Sequence, residues 1–277
     1  MAIDLDEYFR QQAARTPPYG GQLSAEFQAA LHAWHANVTA AECEFYHTVE
    51  LPDGRVFPGQ WDLRGQENIF LGGQRLSRKR VIEYGPASGA LSAHMAKQGA
   101  ELTVFELPFG AASDIMPIEG VDFEASKQGG VETLERVHKS WWFLKRELGF
   151  AARAVYGDIY DQPDDLGDYE VSVMSLILLH LSNPFRALQM AAARTRETII
   201  ITEMQMLPES VLQLSAQPGN ELPLGVFGPS PAPAGVVHWW AFSPAALRHM
   251  LRRLGFSEIS TMSHPGRPLF TIVAHRA

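Results

Sequence analysis

The stretch VIEYGPASGALSAHMAKQGAELTVFELP, from Val81 to Pro108, constrains this chain more than any other. A β-rich run, a glycine turn, a helical run and a second β-rich run follow one another, as in a parallel strand–helix–strand unit. Such a sheet needs helices over both of its faces. The unit also sets its first turn beyond the carboxyl end of a strand, where doubly wound sheets hold their ligands. Gly85 and Gly89 let the backbone approach a ligand closely, and the helix that follows aims free N–H groups at it.

The rest of the chain repeats this rhythm. ARAVYGD, YEVSVMSLILL and ETIIITEM read as further strands, with helices near Gly130–Leu148 and Pro184–Ala193. SPAALRHMLRRLGF reads as a helix with Ser243 as N-cap, Pro244 in its first turn and Gly255 at its stop. SEISTMS and PLFTIVAHR follow as two last strands. Upstream, residues 1–40 read as two helical segments around a TPPYGG break, and CEFYHTVELPDGRVFPG as a hairpin around its Pro-Asp-Gly turn. Residues 207–240 are dense in Pro and Gly and read as a long ordered loop or lid, not a helix. The expected division is a cap of helices and hairpin over 1–75 and a ligand-binding domain over 76–277, with 207–240 as a lid-like insertion.

Composition narrows the partners. The 277 residues are 46% hydrophobic, enough for a sizeable core, and the net charge of -8 argues against a broad phosphate-binding surface. The single cysteine, Cys43, excludes an internal disulfide and any multi-cysteine metal site. None of the ten histidines forms an HxH or HxxxH pair, so no metal is expected. The N-terminus lacks a long apolar run, and VSVMSLILLHL is too short to cross a bilayer. A cytoplasmic chain with no membrane association is the expectation.

Two ligands suit the glycine turn, a dinucleotide and S-adenosylmethionine (SAM). A dinucleotide wants glycines at three positions, which here hold Gly85, Ala87 and Ala90. Glu83 would oppose a pyrophosphate, yet it is well placed for the ammonium of a methionine moiety. Glu106 ends the second strand, where a carboxylate accepts hydrogen bonds from ribose hydroxyls; its plainer reading is an exposed loop acid. Asp158 stands where it can accept from the adenine amino group, with Ile159 over the ring face and Tyr156 and Tyr160 at its flanks. The alternative for Asp158 is the cap of a short helix beginning at Ile159.

Taken in order, YHTVELPDG, WDLRG, VIEYGPASG, FELP, WWFLKRELGFAARAVYGDIYD, LILLHLSNPFRAL, IIITE and WWAFSPAALRHMLRRLGF resemble the class I SAM-dependent methyltransferases. The similarity runs from about Phe45 to the C-terminus. It points to the subgroup of the tRNA wobble-uridine carboxymethyltransferase and its small-molecule relatives. The resemblance implies an α/β, Rossmann-like seven-stranded sheet with an antiparallel last strand. It implies SAM held by Gly85, Ala87, Ser88, Gly89, Glu106, Asp158 and Ile159, with Leu176 as a further lining position, and Leu107 is counted beside Glu106. Pro86 stands where relatives often carry glycine or threonine, which removes one N–H donor.

Methyl transfer needs an aligned nucleophile, exclusion of water, and a base only where the nucleophile must lose a proton. His180 reads as that base, or as a side chain fixing the LHLSNP turn. Glu203 reads as a group that orients an acceptor or pairs with a cap residue, or as a solvent-facing strand end. Tyr46, His47 and Glu50 belong to the hairpin, and either face of it points to the site or packs on the sheet. Trp61, with Asp62, closes a lid or touches SAM. Tyr160, His238 and Trp239 are offered to an acceptor, with core packing as the alternative. Trp141, Trp142 and Phe143 read as packing, with a substrate contact made together with His138 just before them as the alternative. The expected activity is SAM-dependent methylation of an O, N or C atom of a small molecule. The alternatives are a tRNA-modifying (carboxy)methyltransferase and a non-catalytic SAM-binding regulator. Oligomeric state stays open, a homodimer among the options.

Overall fold

A computed structural model describes residues 3–14, 22–215, 222–229 and 237–277; the TPPYGG break and parts of 207–240 lie outside the described residues. In chain order the elements are α1 (Leu5–Ala13), α2 (Ala25–Trp34), β1 (Val49–Glu50), β2 (Val56–Phe57), α3 (Glu67–Phe70), β3 (Arg80–Tyr84), α4 (Ala90–Lys97) and β4 (Glu101–Glu106). Then come α5 (Phe123–Leu148), β5 (Arg153–Tyr156), β6 (Tyr169–Ser175), α6 (Pro184–Arg194), β7 (Thr195–Met204) and α7 (Glu209–Ser215). The last are β8 (Gly225–Phe227), β9 (Trp240–Phe242), α8 (Pro244–Arg253), β10 (Phe256–Ser263) and β11 (Leu269–Arg276). Seven strands form one sheet in the order β10-β11-β7-β6-β3-β4-β5. β11 runs antiparallel to both β10 and β7, whereas β6 with β7, β3 with β4, and β4 with β5 are parallel.

The chain divides into two compact units. One comprises Met1–Glu67, Arg75–Ser113 and Lys127–Asp168; the other comprises Asn68–Gln74, Asp114–Ser126 and Tyr169–Ala277.

In the first unit the apolar runs of β3, β4 and β5 are buried almost throughout, as strands covered on both faces must be. Their register pairs Tyr84 with Phe105 and Glu106 with Tyr156, so all three strands end at one edge. β5 is an outer strand, so one row of its main-chain groups faces no neighbouring strand. The Gln28 amide covers it as a neighbouring strand would, donating to Ala154 O at 2.8 Å and accepting from Ala154 N at 3.0 Å. The Pro-Asp-Gly hairpin forms as the alternation suggests, with Val49 opposite Phe57. α5 begins seven residues before the helix expected from Gly130. The Asp122 carboxylate accepts from Ala125 N at 3.0 Å, and this cap carries the helix through Gly129 and Gly130 despite a cost of about 1 kcal/mol for each.

In the second unit the run YEVSVMSLILL is strand only as far as Ser175. Leu176 then takes φ +56 and Leu178–His180 form a 3-10 turn, so the final four residues of the run are not strand. The reading of 207–240 as loop is also corrected in part. Glu209–Ser215 is helical, started by Pro208 O, which accepts from Val211 N and Leu212 N, and Gly225–Phe227 pairs with β9. Local i to i+3 and i+4 bonds outweigh the Pro and Gly content of this segment. α8 is capped as expected, with Ser243 Oγ accepting from Ala246 N at 3.2 Å. No helix among the described residues is long and apolar enough to cross a membrane.

Candidate functional site

The glycine turn joins β3 to α4 within the first unit. Gly85, Ala87 and Gly89 all take positive φ, at 65°, 47° and 89°. Ala87 is the costly one, because a Cβ disfavours this region by about 1–2 kcal/mol. Gly85 N is tied to Phe105 O at 2.9 Å and Gly89 N to Pro86 O at 2.8 Å. The first bond into the helix comes from Ala93 N to Gly89 O. No side chain caps α4, so its first amides stay free for an anionic or polar ligand.

Glu83 lies beneath this turn and is buried. Ser92 Oγ donates to its Oε2 while accepting from Trp141 Nε1 at 3.0 Å. Burial pushes the carboxyl up to about 7, against the pull of the Ser92 bond. Near neutrality Glu83 therefore sits between its charged and uncharged forms. Ser88, also buried, accepts from His47 N at 2.9 Å and has His47 Nδ1 at 3.4 Å. Trp61 N donates to Tyr46 O at 3.0 Å and Thr48 N to Trp61 O at 2.8 Å. Tyr46, His47 and Trp61 thus come together on the glycine turn. Burial lowers the His47 imidazole to about 4, which keeps it neutral. Glu50 and Asp62 do not join this group; both hold Arg64 at the surface, at 3.0 and 2.7 Å.

At the end of β4, Glu106 is half-buried and its Oε1 accepts from Leu107 N at 2.7 Å. That bond fixes the carboxylate while leaving acceptor capacity for hydroxyl groups. At the end of β5, Asp158 accepts from Tyr160 N at 2.8 Å and pairs with Asp161 in an isolated bridge. The short helix considered at Ile159 does not form; the segment is a side-chain-closed turn, with Ile159 and Tyr160 half-buried beside it. Behind this edge, Tyr156, Trp142, Phe109, Phe9 and Tyr8 make an aromatic wall. Trp142 Nε1 donates to Tyr156 Oη at 2.8 Å, and Tyr8 Oη donates to Tyr156 O at 3.1 Å. Trp141, Trp142 and Phe143 are buried packing residues.

The second unit carries the remaining candidates. Glu203 is buried rather than solvent-facing, and its Oε1 accepts from Leu178 N at 2.8 Å. Burial pushes it up to about 8, opposed by the amides of Leu178, Met204, Leu179 and Ile177. Through these amides the carboxyl group anchors the turn that bears Leu176 and His180. His180 Nδ1 meets Val237 O at 2.5 Å, and a carbonyl only accepts, so Nδ1 carries the proton and Nε2 the lone pair. Burial lowers His180 to about 4, and the His238 ring lies 5.3 Å from it. Trp239 is held by Asp114 O through Nε1 at 2.5 Å and by Leu179 O through its main chain at 2.8 Å. Leu176 is buried at the head of the same turn.

Sequence reasoning missed Ser92, which presents its hydroxyl to Glu83, and Tyr8, which reaches β5 from the first helix. A serine in the first turn of the helix after the glycine turn was the available signal for the former; none marked the latter. No group of three or more His, Cys, Asp and Glu that could hold a metal occurs among the described residues.

Parallel strands ending in a glycine turn and two carboxylates define an α/β domain of the kind that binds a nucleoside-bearing ligand. The methyltransferase domain family matches residues 65–261, and the chain belongs to that family. No curated protein matches it in sequence. Among solved structures it is similar to the N-terminal domain of EvdMO1 with S-adenosylhomocysteine and D-fucose, at 15% identity and a TM-score of 0.50 over 94% of this chain and 100% of that one. The same domain with S-adenosylhomocysteine alone gives 16% and 0.50, over 90% and 96%. The magnesium protoporphyrin IX methyltransferase of Synechocystis PCC 6803 with bound S-adenosylhomocysteine gives 15% and 0.47, over 76% and 80%.

Proposed function

We propose that this methyltransferase takes its methyl group from SAM and delivers it to an O, N or C atom of a small-molecule acceptor in the cytoplasm. SAM is its cofactor, and when bound it would supply an electrophilic methyl group for the acceptor's lone pair. The observation that carries the reading is the single edge at which β3, β4 and β5 end in the glycine turn, Glu106 and Asp158. Uncapped amides of α4 and a half-buried carboxylate fixed on one oxygen suit a ligand with a carboxylate at one end and a ribose in the middle.

Glu83 balances the methionine ammonium, and the turn of Gly85, Ala87, Ser88 and Gly89 holds the carboxylate. Glu106 and Leu107 bind the ribose, Asp158 and Ile159 the adenine, and Leu176 lines the cofactor. His180, neutral through the physiological range, takes the proton of an acceptor O–H or N–H on Nε2. An imidazole lowered to about 4 is a weak base, so it suits an acceptor whose proton is already acidic. Glu203 positions His180 through the turn they share. Tyr46, His47, Trp61, Tyr160, His238 and Trp239 shape the acceptor side. Residues 1–75 serve as the cap and 207–240 as the lid-like insertion of the domain over 76–277.

Kinship with the tRNA wobble-uridine enzymes is the finer reading, and the net charge of -8 weighs against a polyanionic acceptor. Calorimetry with SAM, followed by S-adenosylhomocysteine release over a panel of small acceptors and bulk tRNA, tests the proposal. Binding with turnover on small molecules is expected. Absence of SAM binding sinks it, and turnover on tRNA alone replaces the acceptor class.

A further inference from the structure

His138 projects from α5 into the first unit and is 2% exposed, yet neither of its ring nitrogens has a hydrogen-bond partner among the described residues. Leaving a buried polar group unpaired costs about 1–3 kcal/mol, and an apolar side chain at this position would avoid that cost. Its neighbours are suited to an apolar residue: the Phe109 ring lies 4.9 Å away edge-on and the Tyr156 ring 5.9 Å away. The polar groups near it include the His35 imidazole and the Glu106 carboxylate. His138 Nε2 is 3.7 Å from Glu106 Oε1, just beyond hydrogen-bond reach, on the same oxygen that accepts from Leu107 N.

We propose that His138 is a positioning residue for Glu106: it donates Nε2–H to Oε1 when a nucleoside's hydroxyls engage Oε2, and so fixes the carboxylate in its ligand-binding orientation. The inference rests on the proposed role of Glu106 toward a ribose. A donor on one oxygen leaves the other free to accept, and a charge-assisted bond formed only in the bound state adds to affinity without stabilising the free protein. The short closure needed is a side-chain adjustment, and the aromatic neighbours keep water from competing for the same donor.

The test measures affinity for S-adenosylhomocysteine by calorimetry, with melting temperatures recorded for every variant. His138→Phe is expected to weaken binding about tenfold, the worth of one such hydrogen bond, while the melting temperature stays the same or rises because the unpaired polar ring is gone. His138→Gln, which offers an N–H at similar reach, is expected to restore affinity to within about threefold. In a Glu106→Ala background the His138→Phe change is expected to lose its effect, because the two residues act as a pair. Unchanged affinity in His138→Phe, a Gln variant no better than Phe, or an undiminished effect in the Glu106→Ala background overturns the proposal alone. A wild-type chain that binds no S-adenosylhomocysteine overturns the cofactor reading, and this proposal with it.

Discussion

Gly89 lies so close to Trp141 that a Cβ on it would come within 2.7 Å of the indole Cδ1. Its φ is +89°, which a substituted residue also resists. The position thus carries two penalties, one of backbone and one of packing, at the residue that opens α4. Trp141 cannot retreat cheaply, because its Nε1 is engaged with Ser92 and through it with Glu83. Gly89→Ala is therefore expected to cost about 3 kcal/mol or more, and to weaken S-adenosylhomocysteine binding with it. Gly54 is the control, with φ +85° and nothing within 4 Å of a built Cβ. Gly54→Ala should cost only the backbone share, about 1 kcal/mol. Thermal melts of the pair decide the matter, and equal losses would show that the Trp141 contact is soft.

Glu203 is expected to behave as an anchor. Its removal in Glu203→Ala leaves Leu178 N and its neighbouring amides without their acceptor in a buried place, a loss of about 2–4 kcal/mol. Glu203→Gln keeps an acceptor oxygen and should lose less than half of that. Chemical denaturation of both variants, read at a pH where the wild type is fully folded, gives the comparison. Equal stability of the Ala variant and the wild type would mean that the turn at 176–180 holds itself.

The buried ionisable groups set a stability profile with a maximum near pH 6.5. Burial holds His35, His47 and His180 near 4 in the folded chain, below the ordinary histidine value of 6.5. The unfolded state binds more protons than the folded one between those limits, so stability rises with pH from about 4 to 6.5. Glu83 and Glu203 work in the opposite sense, raised to about 7 and about 8 from 4.5. Their folded forms keep the proton longer, so stability falls as pH climbs from 4.5 through 7 and 8. These three histidines outweigh the two carboxylates below about 6.5, and the carboxylates dominate above it. Glu83→Gln should flatten the alkaline limb up to pH 7, Glu203→Gln up to pH 8. Melting temperatures between pH 4 and 9 would contradict this if the wild type rose steadily to pH 8.

Much of this arrangement is legible in the sequence, and the reason is local. Glu83, Glu106 and Asp158 each stand at or near the end of a short apolar run, so position along the strand reveals position on the sheet edge. The hairpin and the caps at Asn183 and Ser243 are local as well. What escaped notice depends on partners remote in sequence. The run after Ser175 has strand propensity, yet Glu203 from the next strand draws its amides into a turn. His138 looks like one more polar residue in an amphipathic helix until β4 brings Glu106 beside it. Tyr8 and Gln28 gain meaning only when they reach β5.

Glu106 gives the most direct check on the cofactor side. Glu106→Ala should weaken S-adenosylhomocysteine binding at least about tenfold, since charge-assisted hydrogen bonds to hydroxyl groups are lost. Glu101 begins the same strand, is exposed, and holds Arg153 at 3.4 Å. Glu101→Ala should leave affinity unchanged, with surface pairs of this kind worth about 0–1 kcal/mol to stability. Calorimetry on both variants separates a ligand contact from a general effect of charge, and equal affinities would remove Glu106 from the site.

His180 tests the chemistry itself. Its Nδ1 proton is committed to Val237 O, which leaves Nε2 as the only lone pair, and burial keeps the ring neutral above about pH 4. A base of this kind does not titrate between pH 5 and 8, so kcat should be flat across that window unless the acceptor ionises within it. His180→Ala should lower kcat about 100-fold for an acceptor that must shed a proton, the lower end of what a positioned base contributes, while SAM affinity stays unchanged. For an acceptor that carries no such proton the same variant should be nearly silent. Measuring both acceptor types in one variant therefore separates proton removal from positioning. An equal loss on both would assign His180 to holding the turn, and unchanged kcat on both would leave alignment and exclusion of water as the whole of the catalysis.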